Sequence, residues 1–197
     1  YDHKYIYSHL GYNLKATDLQ AAVGVAQLDK LQGFIETRKR NWVRLREGLG
    51  DLEEWFILPE PTPHSDPSWF GFCLTVRPEA SSPPHPPPPM APSCSGPGGA
   101  VRRAAPLTRH AVVRFLADHR VGTRELFAGN LVRQPAYLEA DWRKVGDLAN
   151  ADLIMAGSFW IGVYPGLSDL MIDYVIEAVH SAIGALRSSA GLRDGTA

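Results

Sequence analysis

A long helix, entered from a capped loop, most constrains what this chain can fold into. Thr17 has the position of a helix N-cap, and Gln20, three residues later, completes the spacing of a capping box. Asp18 lies in the first turn, where a carboxylate suits the positive end of the helix dipole. Apolar residues then recur at the spacing of one helix face, namely Leu28, Leu31, Ile35, Trp42, Leu45 and Leu49. The pattern predicts one helix from about residue 17 to residue 49.

The packing of this helix has two interpretations. It is either a core helix with a solvated basic back, or a helix whose apolar face exceeds what a small domain can cover. The basic residues in question are Arg38, Lys39, Arg40, Arg44 and Arg46. Asn13, in the preceding loop, has the residue type of a turn that bonds its own backbone.

Short strands and helices alternate over the rest of the chain. Strands are predicted at residues 55–58, 69–76, 121–127 and 159–163, and helices at 107–119, about 151–155, and from the Ser168 cap onward. This order predicts an α+β domain, a few mixed strands with helices on one face, reached from the long connecting helix. The unbroken apolar run at 69–76 predicts a strand covered on both faces.

A proline-rich stretch interrupts this domain at about residues 79–105. Its run at 83–89 is a polyproline II signature, and the small, flexible residues after it cannot bury enough apolar surface to fold. The stretch is predicted to be a disordered insert, with a ligand for a proline-binding module as the alternative. The predicted organisation is therefore an arm and helix at 1–50, a domain at 51–186, and a frayed tail at 187–197.

Composition restricts the class of protein. The chain has 197 residues, 45% of them hydrophobic, and a net charge of −1. A near-neutral balance argues against non-specific nucleic-acid binding. The sequence contains no run of about 18 apolar residues, so no membrane-spanning helix is predicted. The two cysteines, Cys73 and Cys94, form no disulfide or zinc pattern, so a reducing, cytoplasmic setting fits best. Cys73 is expected in the core.

Because the chain starts without Met, inside an apparent motif, it is interpreted as the C-terminal part of a longer polypeptide.

The segment at residues 122–135 is the best candidate for an anion site. It combines a strand, a Gly-Asn turn, and two arginines, Arg124 and Arg133. Arginine presents a fork of donors that suits phosphate or carboxylate oxygens, and loops at strand ends often bind ligands. The alternative is that both arginines only cover the surface.

Several stretches also resemble a known family. Residues 11–13 (Gly-Tyr-Asn), then 19–24 and 27–28, resemble the segment after the cofactor site in sugar aminotransferases of the DegT/DnrJ/EryC1 type. The run 1–13 resembles one branch, the NDP-4-keto-6-deoxyhexose 3-dehydratases (RfbH-like, CDP-6-deoxy-4-hexulose 3-dehydrase). Residues 159–167 match that branch too and are assigned to packing. The resemblance implies the C-terminal part of a fold-type-I PLP-dependent transferase.

The resemblance also implies roles for four residues. Asn13 would contact the phosphate of pyridoxamine or pyridoxal 5′-phosphate across the interface of a homodimer, so that each active site is shared. Arg124, Asn130 and Arg133 would bind the substrate, a nucleotide-linked keto-deoxyhexose that loses its C3 hydroxyl. No catalytic residue and no metal ligand is assigned within this chain.

Other parts of the implied machinery fall upstream of this chain. They are a histidine that replaces the aminotransferase lysine, and the cysteines of a [2Fe–2S] cluster that receives electrons from a reductase. This fragment alone is therefore expected to be inactive. Two rivals remain open: an aminotransferase that keeps the lysine, and a catalytically dead chain that only binds a partner.

Overall fold

The structure of the chain is a computed structural model that describes residue 12, residues 14–78 and residues 107–190. Asn13, the predicted insert, Cys94 and the last seven residues lie outside these ranges. The described elements, in chain order, are α1 (Asp18–Gly48), β1 (Phe56–Ile57), β2 (Gly71–Val76), α2 (Arg109–Asp118), β3 (Thr123–Glu125), α3 (Ala149–Gly157), β4 (Ser158–Gly162) and α4 (Asp169–Ala190). Short 3₁₀ turns occupy Gly50–Leu52, Leu131–Arg133 and Pro135–Tyr137. None of the helices in these ranges is both long and apolar enough to cross a membrane.

The capping box predicted for α1 is present. The Thr17 amide donates to Gln20 Oε1 at 2.9 Å, and the Gln20 amide donates to Thr17 Oγ1 at 3.3 Å. These two bonds satisfy donors that the first turn of a helix otherwise leaves unpaired. They fix the start of the helix at Asp18, as the sequence indicated.

Burial divides α1 into two halves. In the second half Trp42 and Leu45 are buried, and Leu49 follows them into the core. The apolar residues of the first half are exposed, at 82% for Leu19, 64% for Val23, 60% for Val25, 66% for Leu28 and 48% for Leu31. The interpretation as a core helix is therefore right for the second half, whereas no described residue covers the first.

The basic residues of α1 are not simply solvated. Lys39 lies 2.5 Å from Asp66, and Arg44 lies 2.8 Å from Asp169 at the start of α4. Ion pairs this exposed contribute little stability each. They join α1 to the loop before β2 and to the start of α4.

The four strands form one sheet in the order β1-β2-β4-β3. Every pairing is antiparallel, so the expectation of mixed strands is wrong. The register of β2 and β4 puts Phe72 opposite Ile161 and Leu74 opposite Phe159. The direction of a strand depends on pairings between residues far apart in sequence, which the local apolar pattern does not record.

One face of the sheet forms the core. Burial alternates along β2: Phe72, Leu74 and Val76 are buried, whereas Cys73 and its neighbours on the other face are only half-buried. The predictions of a strand covered on both faces and of a core Cys73 are therefore wrong within the described domain. Helices α1, α2 and α4 pack on the buried face, and their core residues are Trp42, Leu45, Leu49, Val112, Leu116, Ile172, Val175, Val179 and Ile183.

Candidate functional site

The segment singled out in the sequence lies at the edge of the sheet. Strand β3 pairs only with β4 in this sheet, and it is shorter than the predicted range of 121–127. The chain then turns and forms the 3₁₀ turn Leu131–Arg133, beside α3. An edge strand with a turn after it leaves backbone and side chains accessible, as a ligand site requires.

Arg124 lies on the face of the sheet that the core does not use. Arg124 lies opposite Trp160 of β4. Cys73 of β2, the strand along the other edge of β4, also lies opposite Trp160, so the three residues share one face of the sheet. The side chain of Arg124 is exposed, and its Nη1 donates to the carbonyl of Thr123 at 3.1 Å. No ion pair to Arg124 occurs within the part of the chain that the structure describes. Its remaining donors are therefore available to an anion.

Asn130 is buried, at 4% exposure, and both ends of its amide are engaged. Its Oδ1 accepts from the Val132 amide at 3.3 Å, which caps the 3₁₀ turn, and its Nδ2 donates to Asp152 Oδ1 at 2.7 Å. A side chain that closes a turn and reaches α3 shapes the segment. The Asn130 side chain thus fixes the 3₁₀ turn that carries Arg133 against α3.

Arg133 forms a two-pronged pair with Asp152. Its Nε and Nη2 contact the two carboxylate oxygens of that residue. The hydrogen bonds from Arg133 and then Asn130 lower the pKa of Asp152 to about 2, and the same carboxylate raises the pKa of Arg133. Arg133 and Asn130 thus share one partner, whereas Arg124 makes no contact with either among the described hydrogen bonds.

Arg109, the first residue of α2, contacts this segment and supports it, although the sequence analysis did not indicate it. Its Nη1 donates to the Met155 carbonyl at 2.7 Å, and its Nη2 lies 3.1 Å from Glu125 Oε1. It therefore ties α2, the end of α3 and β3 together. A cation in the first turn of a helix opposes the helix dipole, and that local conflict was the signal available in the sequence.

The cofactor-side residue cannot be described in the same way. Asn13 lies outside the described residues, so its contact with the cofactor phosphate stays a prediction. Its neighbours Tyr12 and Leu14 are 93% and 90% exposed. An amide that donates to phosphate oxygens is chemically suited to the implied role.

Cys73 has the properties of a protonated thiol. Burial raises its pKa, which disfavours the thiolate that binds metals. Within the described ranges, no group of three or more His, Cys, Asp and Glu side chains could hold a metal ion.

Sequence comparison identifies relatives over most of the chain. Residues 1–85 and 98–180 match the DegT/DnrJ/EryC1/StrS aminotransferase family, which leaves part of the proline-rich stretch unmatched. The chain is 46% identical, over 91% of its length, to the dTDP-4-dehydro-2,6-dideoxy-D-glucose 3-dehydratase of Saccharopolyspora spinosa, covering 33% of that protein. It is 45% identical, over 93% of its length, to the lipopolysaccharide biosynthesis protein RfbH of Salmonella typhimurium, covering 36% of it. The chain thus spans about a third of the length of these relatives.

Solved structures show the same fold at low sequence identity. A GDP-4-keto-6-deoxymannose-3-dehydratase with a trapped PLP-glutamate geminal diamine superposes with a TM-score of 0.64 at 21% identity, covering 89% of this chain and 39% of that one. An aminotransferase from Psychrobacter cryohalolentis gives a TM-score of 0.69 at 16% identity, covering 95% of this chain and 45% of that one. The small antiparallel sheet with its helices is therefore a part of the PLP-dependent aminotransferase fold.

Proposed function

Because the chain belongs to the DegT/DnrJ/EryC1/StrS aminotransferase family, we propose that it is the C-terminal part of an NDP-4-keto-6-deoxyhexose 3-dehydratase. The observation that supports this most is its high identity, over nearly its whole length, to a relative that is a 3-dehydratase of a nucleotide-linked keto sugar. The reaction removes the C3 hydroxyl and serves deoxysugar or lipopolysaccharide biosynthesis.

Pyridoxamine phosphate is the proposed cofactor, and Asn13 the residue of this chain that holds its phosphate. When bound, the cofactor supplies an amine for the C4 ketone and a ring that accepts electrons. Asn13 contributes two N–H donors and no charge, which suits a phosphate oxygen. The chain's other contribution is on the substrate side.

On that side we assign the nucleotide sugar to the segment after β3. Arg124 donates one hydrogen bond to the Thr123 carbonyl and has no ion-pair partner among the described residues, and its remaining donors, on the open face of the sheet, bind the diphosphate. Arg133 contributes charge from a position fixed by Asp152, and Asn130 keeps the turn in shape. Orientation of the sugar by such fixed groups lowers the entropy cost of the reaction.

A homodimer completes the proposed site. Leu19 and Leu28 are nine residues apart, which at about 100° per residue puts them on opposite sides of α1, and both are exposed. Large apolar side chains on opposite sides of a helix are normally covered by other elements. The first half of α1 is therefore covered from one side by the remainder of its own subunit and from the other by the partner subunit, and the arm at residues 1–16 crosses that interface.

Electrons for the deoxygenation come, in this proposal, from a reductase partner through a [2Fe–2S] cluster whose cysteines lie outside this chain. Neither Cys73 nor Cys94 matches the cysteine pattern of such a cluster, and the described residues include no group of three or more His, Cys, Asp and Glu side chains that could hold a metal. We also assign the reaction to the cytoplasm, because the chain carries no disulfide framework.

The proposal is tested by reducing the whole protein with borohydride in the presence of pyridoxal phosphate. A lysine-bearing aminotransferase becomes permanently attached to its cofactor under these conditions. We expect the cofactor to stay removable by dialysis, because a histidine replaces that lysine. Stable labelling of one lysine would identify an aminotransferase and refute the dehydratase.

A further inference from the structure

The turn after β3 holds an aromatic ring out of the domain. Phe127 is 81% exposed, and its backbone has a φ of 49°, in the left-handed region. A bulky residue adopts that conformation at a cost in free energy. An exposed ring gains little burial to offset the cost. Burial of the ring within the described part of the domain therefore does not account for this conformation.

The other non-glycine residues with positive φ differ from Phe127 in this respect. They are His64, Arg120 and Leu148. Arg120 follows the last turn of α2, where a left-handed residue is a common helix ending, and His64 lies in a turn closed by the Ser65 amide. Leu148 is half-buried just before α3. Phe127 alone among these four carries a large apolar ring.

Bonds to Glu125 fix the backbone just before the ring. The Glu125 carbonyl accepts from the Phe127 amide at 2.8 Å and from Trp160 Nε1 at 3.1 Å. Its carboxylate pairs with Arg109, as described above. The conformation at Phe127 is thus imposed by its neighbours.

The backbone just after the ring is fixed as well. The Ala128 carbonyl accepts from Gln134 Nε2 at 2.8 Å. Gly129 has a φ of 64°, and a Cβ there would lie 2.5 Å from the Cβ of Met155. Restraints on both sides of an exposed ring produce a pre-oriented contact, which costs little entropy when it binds a partner.

The surroundings of the ring indicate the chemistry of that partner. Phe127 borders a cavity of about 80 Å³ whose lining includes Arg109, Glu125 and Gln134, and Arg124 lies three positions earlier in the chain. Arg109 and Glu125 form an ion pair, so the nearby cation that has no ion-pair partner among the described residues is Arg124. A flat, uncharged ring close in the chain to such a guanidinium suits a ligand that joins an aromatic base to an anion. Nucleotides have this combination, because bases stack on aromatic side chains and guanidinium groups bind phosphates.

We propose that Phe127 stacks on the nucleoside base of the substrate, an assignment that rests on the proposed function. The ring discriminates between nucleotides by stacking and contributes no charge. The contact is separate from the chemistry at C3 and C4 of the sugar, so free nucleoside diphosphates are sufficient to measure it.

The test is calorimetric binding of CDP, dTDP and GDP to the whole protein that contains this chain, as wild type, Phe127→Tyr and Phe127→Leu. Losing a base–aromatic stack corresponds to a roughly 5- to 150-fold increase in Kd, so we expect Phe127→Leu to weaken the preferred nucleotide by at least about fivefold. Phe127→Tyr keeps the π-face and should stay within about twofold. Leu170→Ala, at an 80% exposed position at the start of α4, is the control and should bind normally.

Phe127→Gly supplies a second readout, since glycine removes the left-handed penalty. We expect its Tm to rise while its nucleotide affinity falls, as for a residue held in place for binding. Equal affinity of Phe127→Leu and wild type would overturn the proposal. So would a Tm loss in Phe127→Leu without an affinity change, because the ring would then be packing against protein.

The outcomes separate the two proposals. If the protein turns over nucleotide-linked keto sugars and Phe127→Leu is normal, the stacking assignment fails alone. If nucleotide affinity depends on Phe127 while the cofactor proves to be bonded to a lysine, the dehydratase assignment fails alone. A wild-type protein that binds none of the nucleotides overturns the stacking assignment, whatever the reaction.

Discussion

At the scale of single residues, the two arginines of the segment differ in what holds them. Arg124 is exposed and has no ion-pair partner in the described ranges, whereas Arg133 is held by Asp152. We expect Arg124→Ala in the whole protein to raise the substrate KM by about 10- to 150-fold, since a charge-assisted hydrogen bond contributes roughly 1.5–3 kcal/mol. Its Tm and pyridoxamine-phosphate content should not change. Steady-state kinetics, thermal unfolding and cofactor quantitation measure the three quantities.

Arg133→Ala should show a mixed effect. It removes a substrate cation and also leaves Asp152 without its main partner, so KM should rise and Tm should fall. Arg114→Ala, at an exposed position of α2, is the matched control for loss of an arginine. Unchanged kinetics in both Arg124→Ala and Arg133→Ala would end the substrate assignment.

His180 gives a pH dependence of stability. Partial burial opposes its charge, but hydrogen bonds to the Ile176 carbonyl and to Asp51, at 3.0 Å, outweigh burial and raise its pKa. The pKa of His180 in the folded state exceeds its unfolded value of about 6.5. The stabilisation that protonated His180 gives the folded state is therefore complete below about pH 6.5 and is lost as pH rises through the folded pKa. The difference in unfolding free energy between wild type and Asp51→Asn should therefore shrink above pH 6.5, as measured by urea titration. A difference that grows with pH would contradict the pair.

The sequence indicated candidate site residues from a local pattern, but it did not indicate the partners of their side chains. It indicated Arg124, Asn130 and Arg133 because arginines beside a Gly-Asn turn form a local pattern. It could not indicate Asp152, which follows Arg133 by 19 residues and meets it only through the packing of α3. The substrate role of Asn130 stays a prediction. The hydrogen bonds of its amide to Val132 and Asp152 became visible only in the structure, because the bond to Asp152 is a tertiary contact.

At the scale of elements, substitutions in the two halves of α1 should affect the stability of the isolated chain differently. Leu45 is fully buried, so Leu45→Ala should cost about 2–5 kcal/mol of unfolding free energy in the isolated chain. Leu28 is exposed there, so Leu28→Gln should leave the Tm of the chain nearly unchanged. In the whole protein the same Leu28→Gln should weaken assembly. Thermal unfolding together with analytical ultracentrifugation checks this, and a large Tm loss for Leu28→Gln in the isolated chain would contradict it.

Element boundaries were predictable where a local signal exists. Side-chain caps at Thr17, Thr108 and Ser168 mark the starts of α1, α2 and α4, and all three are present. Strand β3 was predicted too long because β-propensity continues through Phe127, whereas the backbone there is left-handed. Whether a strand pairs antiparallel, or is covered on one face or both, depends on distant residues and was predicted wrongly for that reason.

At the scale of the whole molecule, the shared active site is the main prediction. Asn13→Asp sets a carboxylate against phosphate oxygens, so cofactor affinity in the whole protein should fall while the fold is kept. Mixing this variant with one defective only in the other half of the site should restore one competent site per heterodimer. Activity that stays at the level of the separate variants after verified subunit exchange would rule out the shared site.

The central claim concerns the fate of the C3 hydroxyl. The most direct measurement supplies the whole protein with pyridoxamine phosphate, an electron donor and a nucleotide-linked 4-keto-6-deoxyhexose whose C3 oxygen is ¹⁸O, and follows the label by mass spectrometry and NMR. The account predicts release of the label into water and a sugar that lacks its C3 oxygen. A product that keeps the C3 oxygen and carries an amine at C4 would contradict it.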